Sequence, residues 1–286
     1  MPELPEVETI RRDIAHAFTG KRIRRLVVRK PSLLKGSRAD FRRALKSAQV
    51  VRVARRAKHL IVELSTGYAI IIHLKMTGQL VMRALSGKLT VGGHPITGVS
   101  SVPNRFTYVT LEFTNGWKLY FNDVRRFGYW RVIRQVELAQ ALSHLGPEPL
   151  SKSFTPLVFK QALARRKRTS IKAAILDQTI IAGIGNIYAD EVLYAARIKP
   201  SRRTSQLKQV EVVSLYRAIR AVLRRAVAAR GTSFNTYVDG LGREGTYWEK
   251  RLAYGRAGEG CKRCGSLFKK TVVAQRGTTY CPSCQR

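Results

Sequence analysis

Apolar residues Val7, Ile10, Ile14 and Phe18 recur at helical spacing, and Pro5 stands where a first-turn residue belongs. Glu6 and Glu8 face the positive end of that turn, so a helix is predicted almost from the first residue. From 23 to 133 the pattern shortens to β-branched and aromatic runs at 26–28, 60–64, 69–74, 106–113, 117–121 and 129–133. Thr66-Gly67 and Asn115-Gly116 punctuate them, the second as a hairpin signal. Residues 85–104, rich in glycine and proline, read as an inserted surface loop. After Leu145-Gly-Pro-Glu-Pro149 the helical period returns, most clearly over 205–230, and Gly231 supplies a stop.

This order predicts an α+β chain: an N-terminal antiparallel β-rich domain with flanking helices over 1–134, a linker over 135–150, a helical domain over 151–250 and a cysteine-bearing tail over 251–286. No apolar stretch approaches the ~20 residues that a bilayer requires, so no membrane association is expected. The start, Met1-Pro-Glu-Leu-Pro-Glu-Val-Glu8, is acidic and proline-punctuated rather than basic then apolar, which predicts a cytoplasmic protein in a reducing setting. Charge then narrows the partner. Fifty-three Lys and Arg against 18 Asp and Glu give +35, and a chain so cationic calls for a polyanion, of which nucleic acid is the first choice.

All four cysteines fall near the end, as Cys261-x2-Cys264 and Cys281-x2-Cys284. Two such pairs converge on one tetrahedral Zn2+, with residues 269–280 folding back as a hairpin about Gly277; two disulfides are the alternative in a secreted protein. Lys269, Lys270 and Arg276 decorate that hairpin. Upstream, a helical stretch over 168–177, the glycines Gly183 and Gly185, and a helix opening at or near Asn186 make a helix, tight turn, helix unit whose amides suit an anion; a ligand-free helical hairpin shows the same spacing.

The N-terminus offers a nucleophile. Removal of Met1, the usual outcome before proline, exposes the secondary amine of Pro2, and an α-amine titrates about 2.5 units below a lysine. Its attack on a sugar C1′ yields an iminium, cationic without a further proton, with Glu3 beside it as a proton source and Glu6 one turn on. Both glutamates also suit a plain helix start.

Seven motifs in collinear order, Met1-Pro-Glu-Leu-Pro-Glu-Val-Glu-Thr9, Arg55-Arg-Ala-Lys58, His73-Leu-Lys-Met-Thr-Gly78, Asp123-Val-Arg-Arg-Phe-Gly128, Leu145-Gly-Pro-Glu-Pro149, Gly183-Ile-Gly-Asn-Ile-Tyr188 and Ala274-Gln-Arg276, resemble the formamidopyrimidine-DNA glycosylase family. The resemblance implies an N-terminal β-sandwich, a helix-two-turn-helix domain closed by a four-cysteine zinc hairpin, and a DNA cleft between them. It implies a bifunctional glycosylase for 8-oxoguanine and formamidopyrimidines that also cuts the abasic strand by β,δ-elimination, working as a monomer on double-stranded DNA. Pro2 matches the family nucleophile and Glu3 its proton donor; Glu6 matches an active-site carboxylate, and Lys58, Asn186 and Arg276 match groups that hold the phosphates about the lesion. Lys172 matches a lysine tied to damaged-base processing, and His94, within the insertion, is counted among the DNA contacts. Met76, Arg125 and Phe127 match the residues that fill the space left by an extruded base, and residues 233–248 the loop that closes over it. Leu4 and that wedge set favour the purine branch over the related endonuclease VIII branch for oxidised pyrimidines. A zinc-ribbon DNA binder without catalysis is the rival from another class.

Overall fold

The computed structural model describes residues 1–87, 89–93 by their backbone, 101–232 and 245–286. The chain forms two compact units, one of Met1–Ser143 with Ala229–Trp248, the other of His144–Ala228 with Glu249–Arg286. Among the described residues no helix is long and apolar enough to cross a membrane.

In the first unit, helix α1 (Leu4–Phe18) precedes β1 (Ile23–Val28), β2 (Leu34–Lys35), α2 (Arg38–Leu45), β3 (Val50–Arg56), β4 (His59–Leu64), β5 (Tyr68–His73), β6 (Gly78–Arg83), β7 (Leu89–Gly93), β8 (Thr107–Phe113), β9 (Lys118–Asp123), β10 (Tyr129–Arg134) and α3 (Leu138–Ala141). Two five-stranded sheets result, β1-β8-β9-β6-β7 and β2-β10-β5-β4-β3, antiparallel except where β10 meets β2. Alternate residues of both, among them Val53, Val62, Ile72, Leu80, Leu111, Phe121 and Trp130, share one core with Val7, Ile10, Ile14 and Phe18 of α1. Phe18 stacks on Phe113 with ring centroids 4.3 Å apart. The expected sandwich therefore stands, with α1 closing its core. β4 and β5 are buried on both faces, which is why 60–64 and 69–74 read as unbroken apolar runs.

The insertion differs from the loop expected of it. Part of it is β7, whose backbone pairs with β6 from Gln79↔Gly93 to Arg83↔Leu89, a strand that Gly92 and Gly93 disguise in the sequence.

The second unit holds α4 (Pro156–Ala164), α5 (Ile171–Leu176), α6 (Asn186–Ala195), α7 (Gln209–Ala228) and the hairpin β11 (Lys269–Val273) with β12 (Arg276–Tyr280); the residues of a short α8 (Tyr247–Lys250) are divided between the two units. α5, the glycine-rich turn and α6 make the helix-two-turn-helix element. The hairpin turns on Ala274 and Gln275, both left-handed at φ 52° and 58°, whose twist matches the flanking strands. Gly277, expected at that turn, lies inside β12 instead.

The units cut across the sequence boundaries. Residues 135–143, read as linker, belong to the first unit, and 229–248 return to it. Arg230 bonds both oxygens of Asp13 at 2.7 Å, which ties that returning segment to α1. The hairpin joins the helices because Tyr194 of α6 enters a small core with Ala253, Cys261, Phe268 and Cys281.

Candidate functional site

Pro2 and Glu3 are buried just ahead of α1, while Met1, which precedes Pro2, is half exposed. The Glu3 amide donates to Glu6 Oε2 at 2.9 Å, closing the first turn. Glu6 Oε1 accepts the Thr232 amide at 2.8 Å, so this buried carboxylate spans α1 and the segment after α7. Gly231 is required beside it: a Cβ there would sit 2.8 Å from Oε1, on a backbone at φ +84°.

Lys58 follows Ala57 (φ 52°) in the two-residue turn from β3 to β4 and is only 6% exposed. Its charge reaches the chain start. Burial holds the Met1 α-amine below its ordinary 8.0, Glu3 and Glu6 pull it back up, and Lys58 presses it further down. Pro2, Glu3, Glu6 and Lys58 thus share one electrostatic neighbourhood.

Met76, Arg125 and Phe127 also come together, although 49 residues separate the first two. The Arg125 guanidinium donates to Met76 Sδ at 3.1 Å and lies 4.7 Å from the Phe127 ring centroid. Met76 is 44% and Phe127 53% exposed, so this is an apolar point presented to solvent rather than core.

Two histidines to which the sequence reading gave no role, His59 and His73, are buried. His59 and His73 pack edge to face at 4.5 Å, and His73 Nδ1 accepts the Lys75 amide at 2.9 Å. Burial, reinforced by His59, Lys75 and Lys58, drives His73 down to about 2, which keeps the acceptor nitrogen unprotonated. The unfolded imidazole takes up its proton below about 6.5 and the folded one does not, so stability is complete above that pH and declines on acidification. Between pH 7.5 and 5 the loss is about 2 kcal/mol, and His73→Asn, which keeps an acceptor, flattens it. Urea midpoints against pH for both proteins check this; parallel curves would assign the acid loss elsewhere.

In the second unit Asn186, first residue of α6, donates through Nδ2 to the Gly277 carbonyl at 3.0 Å, next to exposed Arg276. Two residues expected to hold phosphate are thereby brought close together, and Asn186 Oδ1 is buried with no partner among the described residues. Lys172 departs from expectation. Grouped with the DNA contacts through the family resemblance, it is completely buried, and its ammonium is spent on Asp190 at 2.6 Å, Thr278 Oγ1 at 2.8 Å and the Gly277 carbonyl at 3.1 Å. Asp190 also accepts the Thr279 amide at 2.9 Å; burial lifts it to about 6 against the pull of Lys172. Lys172 is therefore a positioning residue that pins the hairpin to α5 and α6. His94 lies outside the described residues, as do 233–244 of the expected closing loop.

The ligand sulfurs of Cys261, Cys264, Cys281 and Cys284 lie within 4.8 Å of one another, and none forms a disulfide. The Arg263 and Cys284 amides point at Cys261 Sγ and Cys281 Sγ, each at 3.4 Å, as two metal knuckles require. The set fits one structural Zn2+ with all four positions filled by thiolate, leaving none for chemistry.

Three family models match in order: the formamidopyrimidine-DNA glycosylase N-terminal domain over 1–130, its H2TH domain over 145–238, and the zinc finger found in FPG and IleRS over 258–286. A curated formamidopyrimidine-DNA glycosylase of Desulfitobacterium hafniense is 40% identical over 288 residues, covering all of both chains. Two solved structures of Lactococcus lactis Fpg are each 32% identical with TM-score 0.88. One is a complex with DNA containing N7-benzyl-Fapy-dG and covers all of both chains; the other is a complex with DNA containing an abasic site and covers 99% of both.

Proposed function

Given that the chain belongs to the formamidopyrimidine-DNA glycosylase family of base-excision DNA glycosylases for oxidised purines, we propose that its nucleophile is the nitrogen of Pro2, freed by loss of Met1. The observation that carries this reading is the burial of Pro2 and Glu3 in one neighbourhood with Glu6 and Lys58.

The amine attacks C1′ of the damaged nucleotide, the C1′–base bond breaks, and the base leaves. Glu3 protonates the sugar ring oxygen as the ring opens, and the nitrogen–C1′ iminium remains. That cation acidifies C2′–H, so its loss expels the 3′-phosphate, and a second elimination expels the 5′-phosphate. Glu6 does not react; it anchors the chain start to Thr232. Lys58, Asn186 and Arg276 hold the phosphates, and Met76, Arg125 and Phe127 occupy the vacated stack. The zinc ion supplies no chemistry to the reaction and shapes the hairpin that carries Arg276. The setting we assign is the cytoplasm of a bacterium, on its chromosomal DNA.

Borohydride trapping across 8-oxoguanine, formamidopyrimidine and oxidised-pyrimidine duplexes tests the reading. Covalent adducts form fastest with the two purine lesions. Tight binding with no adduct on any duplex would leave only a DNA binder, and faster trapping on pyrimidines would move the chain to the other branch.

A further inference from the structure

Met76 and the Arg125–Phe127 pair sit on different turns, 74–78 and 123–128, and something must hold those turns in register. Asp123 is completely buried at the end of β9. One of its oxygens accepts the Thr77 hydroxyl and also the Arg125 amide at 3.2 Å; the other accepts the Gly128 amide at 2.7 Å. Thr77 Oγ1 in turn accepts the Arg125 amide at 3.1 Å. Among the described residues no cationic side chain pairs with this carboxylate, so hydroxyl and amide donors from the two turns offset its burial.

The arrangement leaves little slack. Lys75 and Arg126, one in each turn, are non-glycine residues held left-handed at φ 52° and 56°, a conformation that L side chains disfavour. A Cβ on Gly128 would meet Phe121 at 2.6 Å and Asp123 Oδ2 at 3.1 Å.

Resting on the wedge reading above, we infer that the Asp123–Thr77 link is the positioning device that assembles the void-filling group from two turns. The role assigned to both residues requires no contact with DNA. Both act by fixing where Met76, Arg125 and Phe127 point, and wedge insertion matters only where there is a duplex to enter.

The test uses the full chain with Thr77→Val, Thr77→Ser and Asp123→Asn. A duplex carrying a tetrahydrofuran abasic analogue beside 2-aminopurine reports insertion without any chemistry, since the emission rises as the base unstacks. Thr77→Val and Asp123→Asn lose most of the rise, while Thr77→Ser, which keeps the hydroxyl, retains it. Single-turnover excision of 8-oxoguanine from duplex falls about tenfold in the first two, whereas cleavage of an abasic site in single-stranded DNA changes less than about twofold. Thr77→Val adds nothing to Met76→Ala, as expected of residues acting through one point. A full emission rise in both disabling variants, or equal losses on duplex and single strand, would overturn the inference. Failure of the unaltered chain to excise, with a normal emission rise, would instead overturn the catalytic reading and leave the link standing.

Discussion

Blocking the nitrogen of Pro2, by acetylation or by a variant chain that retains Met1, removes the borohydride-trapped DNA adduct, with trapping rates falling by about three orders of magnitude or more. An amide nitrogen has no lone pair to give, and Lys58, buried in the same neighbourhood, is assigned to phosphate in the proposed reading and does not replace it as equal. The pH dependence has a defined sign. Burial holds the Met1 α-amine below 8.0, and the buried Pro2 next to it is expected to share that setting. A base with a depressed pKa is free at lower pH than an ordinary one, so in the processed chain the acid limb of trapping lies below that of a solvated secondary amine. Trapping rates from pH 6 to 9 measure it. A limb at the solvated value would mean that the buried setting does not extend to Pro2.

Replacing Lys172 by Met destabilises the second unit by about 3–5 kcal/mol, because Asp190 is left as an uncompensated buried carboxylate. Lys172→Met with Asp190→Leu recovers most of the loss, since the desolvation cost disappears with the charge. The single variant also gains relative stability in acid: a buried carboxyl raised above its ordinary 3.8 binds a proton more readily folded than unfolded, so stability falls as pH rises through the folded value. Urea unfolding with zinc content as a second readout checks all three statements. A single variant as stable as the unaltered chain would show that the hairpin is held by its small core alone.

Much of the fold is legible in the residue pattern, for reasons that differ by element. α1 declares itself through Val7, Ile10, Ile14 and Phe18, and β4 and β5 through runs buried on both faces. β3 hides because Arg52, Arg55 and Arg56 dominate it, two of their charges answered by distant partners: Glu63 for Arg52 and Glu8 for Arg55. β7 hides behind glycine. The candidate site divides along the same line. The cysteine pairs are legible because metal binding depends on local spacing, and the same local reading is what offers Pro2 and Glu3 as candidates. The burial of Lys172 is not legible because its partners, Asp190 and Gly277, come from α6 and β12, and nothing near Lys172 in the sequence marks it as buried. Asp123 and Thr77 escape for the same reason, each looking like an ordinary turn residue until the two turns are seen together.

The most direct measurement is the mass and fragmentation of the reduced enzyme–DNA adduct. The account requires a protein component lacking methionine, with the sugar carbon bonded to the ring nitrogen of Pro2. Fragmentation that places the sugar on Lys58 or any other side chain, or an active chain still carrying Met1, would contradict it.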